Sequence, residues 1–215
     1  MRSDELISAL VRDLAPAAAL PPPARRFARW MLVPLLSVMA GLLLWGVRND
    51  VSSLREPAEL QLIVVALATG LAAALAALLL AVPGARGAAA MAWAPIGASA
   101  LWVALLASRI ISSGGSFDGS MAWPYPICVV KVLSMAVLPG VALIVMMRRS
   151  WPLRADWTMG LAGLAAGAVG SLGAHLACPE ANPAHALLGH VAPMLALAVL
   201  GAVLGRQSGA PTFTR

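Results

Sequence analysis

Charged side chains are scarce in this sequence: 11% of its 215 residues are Asp, Glu, Lys or Arg, against about 25% in an ordinary soluble domain. Six long apolar runs contain a single charge, Lys131. Each run has roughly the 20 residues that a helix needs to cross a ~30 Å hydrocarbon core. The composition therefore excludes an ordinary soluble domain and predicts a polytopic membrane protein. The runs are Trp30–Val47, Leu60–Val82, Ala88–Ser108, Ile127–Met147, Trp157–Ala177 and Ala186–Leu204.

Alternation of apolar and polar residues is absent from these runs, in which Ala, Leu and Val dominate. Membrane β-barrels need alternating segments of about 10 residues, so the sequence predicts an all-α bundle of six transmembrane helices instead. The gaps between the runs are too short to hold a second domain. We expect an N-terminal segment and linker at 1–29, a transmembrane domain of six helices at 30–206 and a C-terminal tail at 207–215.

Lys and Arg are distributed unevenly between the two sides that six spans define. Positive charge beside membrane helices stays in the cytoplasm, so both termini are expected there. The net charge of +6 is then explained by topology, and we infer membrane lipid rather than nucleic acid as the contact of these side chains. Eleven of the fifteen basic residues lie on one side of the spans, and four lie on or near the other: Arg48, Arg55, Arg109 and Lys131.

Recognisable enzymatic motifs are absent from the sequence. It contains no pair of intramembrane carboxylates and no G-x-S-x-G, H-E-x-x-H or phosphate-loop motif, so no enzyme is predicted. A row of buried ionisable groups, which would mark a transport path, is absent as well. A small six-helix transporter or efflux component is nevertheless an alternative, because six spans and a basic interior suit it.

The segment before the first run has the pattern of a short amphipathic helix. Ser3 is a suitable N-cap, the acids that follow it suit the positive end of a helix, and Pro16 ends the pattern. Helices that lie on membrane surfaces favour Lys and Arg, whereas this polar face carries at least as many acids as bases. We therefore favour docking to a soluble partner. The expected contact residues are Leu6, Ile7, Leu10, Val11, Asp13 and Leu14.

The sequence has only two cysteines and no C-x-x-C pair, which argues against a structural zinc site of that type. Cys128 begins the fourth run and Cys178 follows the fifth, so antiparallel helices place both thiols at one depth, facing an oxidising compartment. Such a pair suits a reversible disulfide or a soft metal ion, and both alternatives stay open. The metal ligands expected are Cys128, Cys178, His175 and His185, whereas His190 is interpreted as a polar residue satisfied within the bundle.

Small residues recur in the fifth and sixth runs. Gly163 with Gly167, and Gly201 with Gly205, form G-x-x-x-G pairs that let helix backbones approach closely in lipid. Packing within one subunit is the interpretation we favour, and a homodimer interface is the alternative.

The order of these features resembles the NrsF family of bacterial membrane anti-sigma factors. The resemblance rests on the sequence SDELISAL at 3–10, DLAP at 13–16, six spans, and Cys178-Pro179-Glu180 before the last helix. It implies a negative regulator that holds an extracytoplasmic-function sigma factor at the bacterial inner membrane through its N-terminal segment. It also implies that the two outward-facing cysteines, Cys128 and Cys178, take part in sensing a stress signal.

Overall fold

The computed structural model of the protein describes residues 3–12, 20–84, 87–113, 125–148, 150, 152, 154–180 and 182–208. These residues form helices and turns without any strand, and six of the helices are long and apolar enough to cross a membrane. The predicted all-α fold with six candidate membrane spans is confirmed. In chain order the elements are α1 (Ser3–Arg12), α2 (Pro23–Trp45), a 3₁₀ turn (Val51–Arg55), α3 (Pro57–Leu80), α4 (Ala88–Met91), α5 (Trp93–Ser112), α6 (Tyr125–Met147), α7 (Ala155–Ala177), α8 (Pro183–Ala186), a π-helical turn (Leu187–Val191) and α9 (Ala192–Ser208).

Several helices differ in extent from the apolar runs. Helix α2 begins at Pro23 rather than at Trp30, because a proline at the first helical position lacks only an N–H that would be unpaired there anyway. The third run, Ala88–Ser108, is divided between α4 and α5, and α5 continues to Ser112. The ends of the apolar runs therefore locate the spans but not the limits of the helices.

Helix α7 lies at the centre of the bundle and packs against α3, α6 and α9. Both G-x-x-x-G pairs lie in the contact between α7 and α9, where a Cβ atom on any of the four glycines would overlap the backbone of the opposite helix. These glycines therefore serve packing within one subunit, the interpretation that the sequence favoured. The overlaps are with Leu197 for Gly163, Met194 for Gly167, Met159 for Gly201 and Ala155 for Gly205.

Helices α2 and α6 are joined by buried hydrogen bonds around Pro139. Proline has no N–H, so Pro139 leaves the carbonyl of Met135 without its usual helical donor. The hydroxyl of Ser37 on α2 donates to that carbonyl at 2.8 Å. The indole N–H of Trp30 donates to the carbonyl of Pro139 at 3.0 Å. The interruption in α6 therefore becomes an attachment point for α2.

At one end of the bundle α2, α5 and α7 end and α3, α6 and α8 begin; we call it the cysteine end, since Cys128 and Cys178 lie there. Two basic residues bind the last carbonyls of α7. The backbone N–H of Arg48 donates to Leu176 at 3.1 Å, and the ammonium of Lys131 donates to Ala177 at 2.9 Å. The last carbonyls of a helix have no partner within it and carry the negative end of its dipole, so these contacts fix the end of α7.

Candidate sensor site of two cysteines and two histidines

The two thiols meet at the cysteine end. Cys128 lies near the start of α6 and Cys178 directly follows α7, and both side chains are buried. Both cysteines are free, with their Sγ atoms 3.4 Å apart. A disulfide has an S–S length of about 2.05 Å, so the thiols would have to approach further to form one. The common depth expected from antiparallel spans is the arrangement observed.

Two imidazoles complete the group. His185 Nε2 lies 3.3 Å from Cys128 Sγ and 3.6 Å from Cys178 Sγ. A ring nitrogen of His190 joins them, and the four possible ligand atoms all lie within 4.8 Å of one another. All four residues are buried. We call Cys128, Cys178, His185 and His190 the Cys₂His₂ group.

The π-helical turn explains how His190 reaches this group. In a π-helix the backbone hydrogen bonds run between residues five apart, and such turns often occur at functional sites. His185 and His190 are five apart, and the turn brings their rings to an edge-to-face contact with centroids 5.6 Å apart. The hydroxyl of Ser171 on α7 donates to the carbonyl of His190 at 2.7 Å and holds the turn in place.

His175, which the sequence suggested as a ligand, lies outside the Cys₂His₂ group. Its Nε2 lies 2.9 Å from Glu59 Oε2 on α3. His190, which the sequence analysis placed within the bundle as a satisfied polar residue, takes a place in the group instead. Residues five apart do not share a face of an α-helix. Only the π-helical turn brings His190 beside His185, and the apolar periodicity carries no signal for it.

A network of charges surrounds the group at the same end. Arg48, whose side chain is almost fully buried, donates to both carboxylate oxygens of Asp50 at 2.7 and 2.6 Å. This hydrogen bonding raises the pKa of Arg48 and holds the pKa of Asp50 well below its usual range. Glu59 lies 3.6 Å from Nη1 of Arg48 and 3.7 Å from Nη1 of Arg109. The carboxylate of Glu59 is therefore flanked by two guanidinium groups as well as by His175.

The surroundings of Cys178 favour its thiolate. The thiol of Cys128 donates to Cys178 Sγ, and this hydrogen bond is the main cause that lowers the pKa of Cys178. The two imidazoles of the group and the backbone N–H of Glu180 act in the same direction, against the effect of burial. Metals bind the thiolate form of cysteine, so Cys178 is the thiol of the pair that is the more readily deprotonated for a metal ion, while Cys128 keeps its proton as the donor.

The spacing of three of the four ligand atoms, those of Cys128, Cys178 and His185, fits a tetrahedral metal ion. Zinc–sulfur bonds of about 2.3 Å and zinc–nitrogen bonds of about 2.0 Å in a tetrahedron place the ligand atoms about 3.3–3.8 Å apart. The three measured separations, 3.3, 3.4 and 3.6 Å, lie in that range. Thiolate with imidazole suits Zn²⁺ or Cu⁺, and neither carboxylate nor solvent is needed to complete the coordination.

The proposed docking residues lie far along the chain from this group, on and after α1. Ile7 and Val11 are 58% and 61% exposed, so neither is buried against the helix bundle. Leu6 and Leu10 belong to α1, but the placement of their side chains lies outside what the structure describes. Asp13 and Leu14 also fall outside the described residues. Helix α1 thus presents at least two exposed apolar side chains, Ile7 and Val11.

A family comparison matches almost the whole chain. The model of the family NrsF, "Negative regulator of sigma F", matches residues 10–208, from within α1 to the end of α9. The chain therefore belongs to the NrsF family, and its class is that of negative regulators of a sigma factor. No curated protein and no solved structure matches it. The family match favours the regulator over the transporter that the sequence left as an alternative.

Proposed function

We propose that the protein is a membrane anti-sigma factor that releases its sigma factor when a soft metal ion fills the Cys₂His₂ group. In the unloaded state, α1 and the residues after it hold an extracytoplasmic-function sigma factor at the bacterial inner membrane. The observation that carries this proposal is the buried set of two thiols and two imidazoles, whose possible ligand atoms all lie within 4.8 Å of one another.

The excess of Lys and Arg on one side supports the orientation. With both termini in the cytoplasm, the segment 1–29 faces the sigma factor and the tail 207–215 lies on the same side. The cysteine end then faces the periplasm, where a metal ion or an oxidant from outside the cell arrives first. Residues 30–206 form the sensor, which lies between the signal at the cysteine end and the sigma factor bound at the N-terminal segment.

The contacts between α2 and α6 support a route from the metal to the sigma factor. Cys128 is on α6 and Cys178 follows α7, so a bound metal ion fixes these two helices to one another at the cysteine end. Helix α6 carries α2 with it through Ser37 and Trp30. At the opposite end, the guanidinium of Arg26 on α2 donates to the carbonyl of Met146 and to the hydroxyl of Ser150.

Arg26 lies just after the linker that follows α1, so movement of α6 changes where α1 is presented. A coupling free energy of about 1–3 kcal/mol between metal and sigma binding, the usual range for such linkage, changes sigma affinity by about 5–150-fold. Small displacements of the packed helices are sufficient, because metal binding only has to shift the equilibrium between the sigma-binding and the sigma-releasing state.

The first test identifies the sigma factor. The full-length chain is tested in a bacterial two-hybrid assay against each extracytoplasmic-function sigma factor of the source bacterium. The proposal expects a specific partner, whose binding is lost when residues 3–12 are deleted. If no sigma factor binds the full-length chain, the proposal is wrong.

The second test separates metal from oxidation. Full-length protein in nanodiscs is exposed to Zn²⁺ or Cu⁺ under reducing conditions, or to diamide without metal, and sigma release is measured. We expect Cys128→Ser and Cys178→Ser to bind sigma but to respond to neither treatment. His190→Ala should lose the metal response alone, because a disulfide needs only the thiols. Ser108→Ala, on the exposed surface of α5, is the matched control and should respond as the wild type does, because its hydroxyl donates within its own helix.

If the metal response survives in His190→Ala, the response depends on the thiol pair alone and the four-ligand site is wrong. Release by diamide but by neither metal would assign the signal to disulfide formation.

A further inference from the structure

Glu59 is a largely buried carboxylate beside the Cys₂His₂ group, on an element that supplies none of its four residues. It lies in the first turn of α3, and its side chain is 12% exposed. Arg48 and His175 approach its Oε2 atom, and Arg109 approaches its Oε1 atom. Burying a carboxylate is costly unless it is paired, so this position is held by several elements at once.

His175 lies between Glu59 and the metal ligand His190. Its ring meets the ring of His190 edge to face, with centroids 6.2 Å apart and planes at 85°. Its Nε2 lies 2.9 Å from Glu59, but the ring is turned so that the N–H is not aligned on the carboxylate. Within the described residues, the Nε2 atoms of both His175 and His190 are buried and have no hydrogen-bond partner.

A small cavity touches both rings. Its volume is about 10 Å³, which is about the least that admits one water molecule. Leu62, Trp102 and Leu172 form much of the rest of its wall. A water in a protein interior needs at least two polar partners, and the two imidazoles are polar groups that line this cavity.

A histidine that binds a metal through one ring nitrogen needs a partner for its other nitrogen. That partner sets which nitrogen carries the proton and how the ring is oriented, and losing it typically weakens metal binding 10–100-fold. The backbone of His190 is held by Ser171, but the Nε2 atom of its ring has no hydrogen-bond partner in the described residues. The ring of His190, which needs such a partner, lines the same cavity as the ring of His175.

We propose that Glu59 and His175 are positioning residues for His190, acting across one water molecule in this cavity. The carboxylate of Glu59 keeps the facing nitrogen of His175 protonated. The other nitrogen of His175 then accepts a hydrogen bond from the water, which in turn accepts the N–H of His190 that the metal does not use. This inference rests on the metal site of the proposed function and adds that α3 controls its affinity.

The test uses full-length protein in nanodiscs, titrated with Co²⁺ without oxygen and followed by its visible absorption. Glu59→Gln removes the charge at constant size, and His175→Phe keeps the ring but removes both nitrogens. We expect each change to weaken Co²⁺ binding about 10–100-fold and to shift the d–d bands, because the orientation of His190 changes. His175→Gln, which can still hydrogen bond, should recover part of the loss and carries the test if His175→Phe does not fold.

Glu56→Gln is the matched control, since it removes an exposed acid three residues earlier at the start of the same helix. It should bind Co²⁺ with the affinity and spectrum of the wild type. Wild-type affinity and bands in both Glu59→Gln and His175→Phe would overturn the inference and leave the metal site standing. A wild-type protein that binds no Co²⁺ would overturn the metal site itself, and the inference with it.

Discussion

Ser37 donates its hydroxyl to the carbonyl of Met135, the acceptor that Pro139 leaves without a helical donor. The bond is buried and joins α2, which follows the docking segment, to α6, which carries one of the two cysteines. In a membrane, where water does not replace a lost partner, such a bond is a strong constraint on how two helices sit together. The route proposed from Cys128 to α1 runs through it.

Replacing Ser37 by alanine should therefore weaken the attachment of α2. Leaving a buried carbonyl without its donor costs about 1–3 kcal/mol. We therefore expect Ser37→Ala to unfold in mixed micelles at a lower concentration of denaturing detergent than the wild type does. Metal binding should be retained, while sigma release on metal loading should decrease. Ser108→Ala, which removes an exposed hydroxyl that donates within its own helix α5, should leave both properties unchanged. Equal stability of the two variants would show that the Ser37 bond does not hold α2.

Two exposed apolar residues of α1 should be needed for sigma binding. Ile7→Asp and Val11→Asp each remove a contact that typically contributes about 1.5–3 kcal/mol and add the cost of burying a charge. We expect each change to weaken sigma binding at least about tenfold, measured with the full-length chain in nanodiscs. Val51→Asp, at an exposed apolar position of the cysteine end, serves as the control and should bind normally. Normal binding by both α1 variants would remove α1 from the docking surface.

The glycines between α7 and α9 should be intolerant of alanine. At Gly163 and Gly201 a Cβ atom would overlap a carbonyl of the opposite helix, and such overpacking typically costs about 1–3 kcal/mol. Gly97→Ala is the matched control, because a Cβ there meets no atom within 4 Å and alanine favours the helix. We expect loss of thermal stability for the first two variants alone. Unchanged stability with loss of a dimer would instead support the homodimer interface.

The ion pair between Arg48 and Asp50 should make stability depend on pH in one direction. The pKa of Asp50 is lowered in the folded protein by its hydrogen bond from Arg48. Its contribution is therefore fully present above the unfolded pKa of about 3.9 and is lost as pH falls towards the lower folded pKa. Wild type should melt at a higher temperature than Asp50→Asn at pH 7 and at pH 5, with a smaller difference below pH 4. A difference that grows on acidification would contradict this assignment.

The six spans could be predicted from the sequence because the thickness of a bilayer sets the length of each apolar run. The common depth of Cys128 and Cys178 followed from the same constraint, since consecutive spans run antiparallel. His190 could not be assigned to the site, because a π-helical turn is decided by tertiary contacts such as Ser171 to the carbonyl of His190. The pairing of His175 with Glu59 was equally inaccessible, as it joins residues far apart in the chain. The start of α2 could not be predicted from the apolar runs, because the helix begins at Pro23, which no run includes.

The most direct test of the account measures sigma affinity of the full-length protein before and after stoichiometric metal loading. In nanodiscs under reducing conditions, we predict that loading with Zn²⁺ or Cu⁺ weakens sigma binding by about 5–150-fold, the range of a 1–3 kcal/mol coupling. His190→Ala should bind sigma as tightly as the unloaded wild type, whatever metal is added. If wild-type protein carries one metal ion at the Cys₂His₂ group and its sigma affinity stays the same, the site is not the sensor of this anti-sigma factor.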